Sequence, residues 1–151
     1  MPLLDSESTE QKPEATETET TDEAPVETHS RGFRLARALF GGVLAFTALD
    51  NFRDLDEMIA YAKGKDAPMP ERTVPAISGT LLFGGSGIAL WKLPTLAAGA
   101  VATFLVSTTP FMHDFWNVED DQQREQQMTH FLKNAALLGG ALAFMRVARD
   151  D

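Results

Sequence analysis

The chain has 151 residues, no cysteine and a formal net charge of -9, which leaves room for one domain and excludes disulfides and thiolate metal sites. Residues 1–30 carry nine acidic side chains and a single base, Lys12, so this segment alone accounts for a charge of -8. Because it has few apolar side chains to bury, it is predicted to be a disordered acidic tail. The chain has no basic patch, and nucleic-acid binding is not expected.

Two stretches have the length and composition of membrane-spanning helices. Thr73 to Trp91 is 19 residues without a charge, and Leu93 to Met112 is another 20. About 20 helical residues, each rising about 1.5 Å, cross a hydrocarbon core of about 30 Å. Because only Lys92 separates the two stretches, they are predicted to form an antiparallel hairpin.

Two weaker stretches extend this pattern. Ala38 to Leu49 and Asn134 to Met145 are each 12 uncharged residues, flanked by charged side chains that can reach the membrane interface. With those flanks included, residues 31–151 are predicted to form an all-α, four-transmembrane-helix bundle with spans at about 33–52, 73–91, 93–112 and 131–149. The alternative is a protein with the two central spans alone.

Small residues recur at every fourth position in all four stretches, which predicts close packing of one helix face in each. The series are Gly41–Ala45, Ala76–Thr80–Gly84, Gly99–Thr103–Ser107 and Ala135–Gly139–Ala143.

The distribution of bases predicts the orientation in the membrane. An even number of spans puts both termini on one side, and each side carries six Lys or Arg residues near the spans. The bases on the terminal side lie closer to the spans, so a multi-pass protein of the cell membrane with both termini cytoplasmic is predicted.

The part of the chain from about Arg34 to Phe144 resembles the DoxX family of small membrane proteins. The matching features are Arg37-Ala-Leu-Phe-Gly-Gly, Asp50, the Gly64…Pro68-Met-Pro70 loop, His113-Asp-Phe-Trp116 and Asn134-Ala-Ala-Leu-Leu-Gly139-Gly. The resemblance implies four transmembrane helices. It also implies an association with membrane oxidoreductases, including a quinone-reducing thiosulfate oxidase in which relatives act as a subunit.

Polar residues gather at one end of the predicted bundle, where Asp50 and Asn51 close the first span, His113 and Asp114 close the third, and His130 and Asn134 open the fourth. Ionisable groups near membrane depth suggest a functional site, and a histidine beside a carboxylate can exchange protons near neutral pH. The candidate catalytic residues are therefore His113 and Asp114, and the residues expected to contact a quinone are Trp116, Asn134 and Asp50. The alternative is that these groups only anchor the helix ends at the interface.

The sequence predicts no metal site and no intrinsic cofactor. His113 and His130 lack a third clear ligand, and the glycines at positions 84, 85 and 87 do not match the spacing of a dinucleotide-binding loop.

Three functions remain open. The first is an accessory or anchoring subunit of a quinone-linked membrane oxidoreductase, not an enzyme on its own, with the lipid bilayer and oxidoreductase subunits as partners. The second is a structural or assembly protein that self-associates through its small-residue faces, and the third is a small transporter.

Overall fold

The computed structural model describes residues 24–151, and every regular element in that range is helical. Five α-helices follow in order: α1 (Arg31–Arg53), α2 (Leu55–Gly64), α3 (Pro70–Leu90), α4 (Pro94–Met112) and α5 (Asp121–Asp150). A short 3-10 helix (Phe115–Asn117) lies between α4 and α5. The all-α prediction is confirmed. The predicted disorder of the acidic tail falls mainly on residues 1–23, which lie outside the described residues.

Within residues 24–151, four helices (α1, α3, α4 and α5) are long and apolar enough to cross a membrane. The prediction of a four-span bundle is therefore confirmed. At 30 residues α5 is about 45 Å long, which exceeds a hydrocarbon core of about 30 Å. Nine of its first ten residues are polar, Met128 being the exception, and they precede the predicted span, so this end of the helix extends beyond the apolar layer.

Side-chain caps define where α1 and α5 begin. The Ser30 side chain accepts a hydrogen bond from the Phe33 backbone N–H, and the Asp120 carboxylate accepts one from the Gln123 N–H. Each bond satisfies a backbone donor that the first helical turn leaves unpaired.

The bundle has two ends that differ in what they contain. The terminal end holds Ser30, the α3–α4 turn and Asp151, and the loop end holds α2 and the 3-10 helix.

Small residues set the spacing of the inner helices. The backbones of Gly41 on α1 and Gly85 on α3 lie against each other, and Gly84 packs against Ala97 on α4. A Cβ at Gly99 or Gly139, by contrast, would meet nothing within 4 Å. Gly41 and Gly84, in the small-residue series of the first two spans, therefore mediate packing within this chain, while Gly99 and Gly139, in the series of the last two, face outwards.

The core of the bundle lies between α3 and α4. Its fully buried side chains include Leu81 and Ile88 on α3 and Val101 on α4, and α1 contributes Leu44 and Ala48 to the same cluster. The helices pack in the order α1, α3, α4, α5. This order leaves α1 and α5 as the two outer helices, facing each other across the surface of α3 and α4.

Candidate functional site

A cavity of about 900 Å³ separates α1 from α5, and α3 and α4 form its floor. Its walls are largely apolar for most of its length. The lining residues named by helix are Ala36, Leu39, Phe40, Val43, Leu44 and Thr47 of α1, Met58 and Tyr61 of α2, Leu81 of α3, Phe104, Leu105, Thr108 and Met112 of α4, and Leu137 of α5. The size and lining are typical of a site for a small lipophilic molecule.

Aromatic side chains close the cavity towards the terminal end. Phe33 lies edge-on to Trp91 with ring centroids 4.9 Å apart, and Phe40 contacts Phe144 at 5.1 Å. The Phe40 ring also packs on the bare backbone of Gly140. Phe33 also lies edge-on to Phe144, 5.7 Å away, so Phe33 and Phe40 join α1 to α5 at this end, and the cavity separates the two helices towards the other.

Polar side chains complete the cavity at the loop end: Tyr61, His113, His130, Lys133 and Asn134. The rings of His113 and His130 stack with centroids 5.2 Å apart and planes 17° from parallel. His113 Nδ1 lies 2.8 Å from Gln127 Oε1, and the Tyr61 hydroxyl donates to the Met112 carbonyl at 3.3 Å. No carboxylate is among the residues that line this cavity in the described chain.

Asp114 follows His113 in the sequence but turns towards α2. Its carboxylate accepts a hydrogen bond from the Lys65 ammonium and another, at 3.2 Å, from the Asn117 side-chain amide. Both members of the Lys65–Asp114 pair are about three-quarters buried. The hydrogen bond to Asp114 raises the pKa of Lys65, and this outweighs the opposing effect of its partial burial. The pair therefore fixes α2 across the end of α4.

A family model described as DoxX matches residues 32–114, which is more than half of the chain. The chain belongs to the DoxX family. The resemblance noted in the sequence is confirmed, and together with the four apolar helices it makes this an integral, multi-pass membrane protein. No curated protein and no solved structure matches the chain significantly.

The polar residues of the cavity lie partly inside and partly outside the segment that matches DoxX. Tyr61 and His113 lie inside the matched residues, whereas His130, Lys133 and Asn134 belong to α5, beyond residue 114. The cavity therefore combines residues of the matched segment with residues of the last helix.

The structure brings together some of the sequence-predicted site residues of this DoxX protein and separates others. His113 and Asn134 both line the cavity. Trp116 does not, because it packs with Phe115 and Phe131 in a separate aromatic cluster and is half exposed. Asp50 also lies outside the lining, on an exposed face of α1, with Arg53 3.9 Å away.

Two residues that line the DoxX cavity, Tyr61 and Lys133, were not predicted from the sequence, nor was Gln127, which contacts His113 from outside the lining. Tyr61 and Met58 are three residues apart on α2, a spacing that puts both on one face of that helix and could have indicated contact with the bundle. Gln127 and Lys133 carry no comparable signal, since Gln127 lies in the polar first part of α5 and Lys133 is a charged residue at the start of the fourth span, where a position at the membrane interface is the ordinary expectation.

A second cavity of about 280 Å³ lies between α2, α3 and α4, and it shares Met58, Phe104, Thr108 and Met112 with the first. Among residues 24–151 no group of three or more His, Cys, Asp or Glu side chains is arranged to hold a metal ion.

Proposed function

We propose that this protein is an accessory membrane subunit of a quinone-linked oxidoreductase, and that the cavity between α1 and α5 receives the quinone. The observation that carries the proposal is the form of that cavity, which has apolar walls and ends in a group of hydrogen-bond donors. A quinone has the matching form, with a hydrocarbon tail joined to a ring that carries two carbonyl oxygens. The apolar walls would hold the tail, and the polar end would hold the ring.

The polar end suits carbonyl oxygens because its groups can donate. Lys133 has an ammonium group and Asn134 has an amide NH₂, and the His113 ring nitrogen that Gln127 does not engage donates once it is protonated. A carbonyl oxygen only accepts hydrogen bonds, and the cavity lining of the described chain has no carboxylate to repel it. Asp114, held by Lys65, would act here through its neighbours on α2 and not by contact with the ring.

The length of the cavity indicates how a ligand would enter. On α1 its lining runs from Ala36 to Thr47, eleven residues apart, which is about 16 Å at about 1.5 Å per residue. This is about half of a hydrocarbon core of about 30 Å. A lipophilic molecule would therefore enter sideways from one leaflet, between the diverging ends of α1 and α5.

The electrons for quinone reduction would come from partner subunits that carry a flavin or iron–sulfur centre. In this proposal the chain lies in the cell membrane with both termini cytoplasmic, as the distribution of bases predicts. It supplies the quinone site and anchors the complex, and it is not an enzyme by itself.

A direct test compares two tryptophan substitutions on α1. Val43 lines the cavity and Leu35 does not, and both side chains are 61% exposed in the isolated chain. We expect the protein purified from native membranes in mild detergent to contain extractable quinone. Val43→Trp should lower that amount at least fivefold, while Leu35→Trp should leave it unchanged. Quinone absent from the unmodified protein, or equal in both variants, would contradict a site in this cavity.

The same preparation tests the partner. Mass spectrometry of the purified material should identify a flavin or iron–sulfur oxidoreductase subunit, and His113→Ala should insert normally but lower the quinone-linked activity of the complex. Recovery of a colourless homo-oligomer would instead favour the structural or assembly function, for which the outward-facing Gly99 and Gly139 offer close-packing surfaces.

A further inference from the structure

The stacked histidines lie where the cavity meets the aqueous side of the protein. His113 lines the cavity, and His130 lines both the cavity and a polar surface depression formed by Gln122, Glu125, Gln126 and Thr129. We propose that His130 and His113 form a proton route from water to the cavity, and that Gln127 is a positioning residue that holds His113 in the tautomer this route needs. The inference rests on the proposed quinone function and assigns the protons of that reaction.

The tautomer of His113 follows from its contact with Gln127. The Gln127 Oε1 atom, 2.8 Å from His113 Nδ1, can only accept a hydrogen bond. With Oε1 of Gln127 facing the ring, the hydrogen of the neutral imidazole is on Nδ1 and Nε2 keeps its lone pair. Since the other ring nitrogen is engaged, Nε2 is the atom that can take up a proton and pass it to a cavity ligand.

The outer end of the route is open to water. The first ten residues of α5 are polar except for Met128 and precede the predicted span, and His130 is the last of them. The His130 residue is exposed, and the carboxylate of Glu125 borders the same depression. With the ring centroids 5.2 Å apart, one water molecule can bridge His130 to His113.

The charges around the pair favour one shared proton at a time. Lys133 lines the same end of the cavity, and a second imidazolium would add a third positive charge within a few ångströms. Asp114 is held by Lys65 and the Tyr61 hydroxyl donates to a backbone carbonyl, so among the described residues the carboxylate left beside the pair is that of Glu125, on the aqueous side of His130. A pair that holds one proton is suited to passing protons singly.

Quinone reduction in this cavity would require both electrons and protons. Conversion of a quinone to a quinol consumes two electrons, from the reduced flavin or iron–sulfur centre of the partner subunit, and two protons. For each proton, the Nε2–H bond of the protonated His113 ring breaks and an O–H bond forms on a quinone oxygen, first on one carbonyl oxygen and then on the other, and each transfer leaves His113 neutral with its hydrogen on Nδ1. His130 then returns a proton to Nε2 through the bridging water and takes another from the aqueous side.

The sequence makes a spectroscopic test practical, because the chain has three histidines. His29 lies at the terminal end, away from the cavity, and serves as an internal reference. In nitrogen-15 NMR of the full-length protein in detergent, with labelled histidine, we expect neutral His113 to show the Nδ1–H tautomer. Gln127→Leu should shift it towards the mixture shown by His29, and Gln127→Glu, which keeps an acceptor, should preserve it.

Addition of decylubiquinone to the same samples separates the two proposals. We expect a saturable change at His113 Nε2 with none at His29. An Nε2–H tautomer of His113 in the unmodified protein would overturn the role of Gln127 whether or not the quinone binds. The expected tautomer without any response to the quinone would instead overturn the proposed function and, with it, the proton route.

The role of His130 is tested in the purified complex with its partner subunits. His130→Ala should lower quinone reduction by about 10²-fold or more, the range of general acid–base contributions, and added imidazole should restore part of the rate. His130→Phe, which preserves the stacking, should show the same loss. Full activity in His130→Phe would overturn the route, as would a loss in His130→Ala that imidazole leaves unchanged.

Discussion

Gly41 of α1 and Gly85 of α3 pack backbone against backbone, and a Cβ on Gly85 would lie 2.7 Å from the Gly41 carbonyl oxygen. Neither helix can move away without opening the cluster that Leu44, Ala48 and Leu81 form beside them. This contact sets the distance between the first two spans. It also sets the position of α1, the helix that supplies most of one wall of the cavity.

Gly41→Ala is therefore expected to destabilise the folded protein by about 1–3 kcal/mol, because the added methyl group meets backbone atoms that cannot rotate aside. The matched control is Gly42→Ala, where a Cβ meets nothing within 4 Å. That change should be neutral or slightly stabilising, since alanine favours a helix over glycine. Thermal unfolding in detergent measures both, and equal midpoints for the two variants would contradict the close packing.

Lys65 and Asp114 hold α2 to the end of α4, so their separation should loosen this end of the bundle. We expect Asp114→Asn to lower stability by about 1 kcal/mol, and the exchange Lys65→Asp with Asp114→Lys to recover part of the loss. The folded-state pKa of Lys65 lies above its ordinary value of 10.5. The contribution of the Lys65–Asp114 pair to stability is therefore fully present below pH 10.5 and is lost as the pH rises through the raised pKa. Unfolding curves between pH 9 and roughly 12 should show this fall in the unmodified protein and not in Asp114→Asn.

At the terminal end, the Asp151 carboxylate accepts hydrogen bonds from the Thr28 hydroxyl at 2.6 Å and from Trp91 Nε1 at 3.0 Å. These bonds, that of Thr28 first, lower the pKa of Asp151 below its ordinary value of 3.8. Its contribution to stability is present above that value and lost as pH falls through the lowered pKa. In a Trp116→Phe background, Trp91 fluorescence should change in that acidic range. The same transition in Asp151→Asn would show that another group is responsible.

The absence of cysteine allows the orientation to be tested with single introduced thiols. Ser30 marks the terminal end and Glu119 the loop end, and both sites lie outside the long apolar stretches. In intact cells a membrane-impermeant maleimide should label Glu119→Cys and not Ser30→Cys, if both termini are cytoplasmic. The opposite pattern would place the loop end, with the polar end of the cavity, on the cytoplasmic side. Labelling of both variants would contradict an even number of spans.

The sequence predicted some of the residues at the polar end of the cavity and not others. His113 and Asn134 were identified because ionisable and amide groups next to apolar helices are uncommon, and both line the cavity. Trp116 was selected as a neighbour of His113, but the 3-10 helix turns it towards Phe131 and away from the cavity. Asp50 was selected because it ends the first span. Its position around the helix axis, which puts it on an exposed face, follows from how α1 packs on α3.

The amino-acid sequence by itself determined the number of spans and the family. Each of these depends on local properties, namely the length of uncharged runs and the identity of short motifs. The tertiary structure decided which residues share a site: it brought Tyr61 and Lys133 to one cavity, stacked His113 on His130, and turned Asp114 towards Lys65. The physical reason is that helical periodicity fixes the face of a residue within its own helix, whereas the rotation and spacing of neighbouring helices depend on contacts such as that of Gly41 with Gly85.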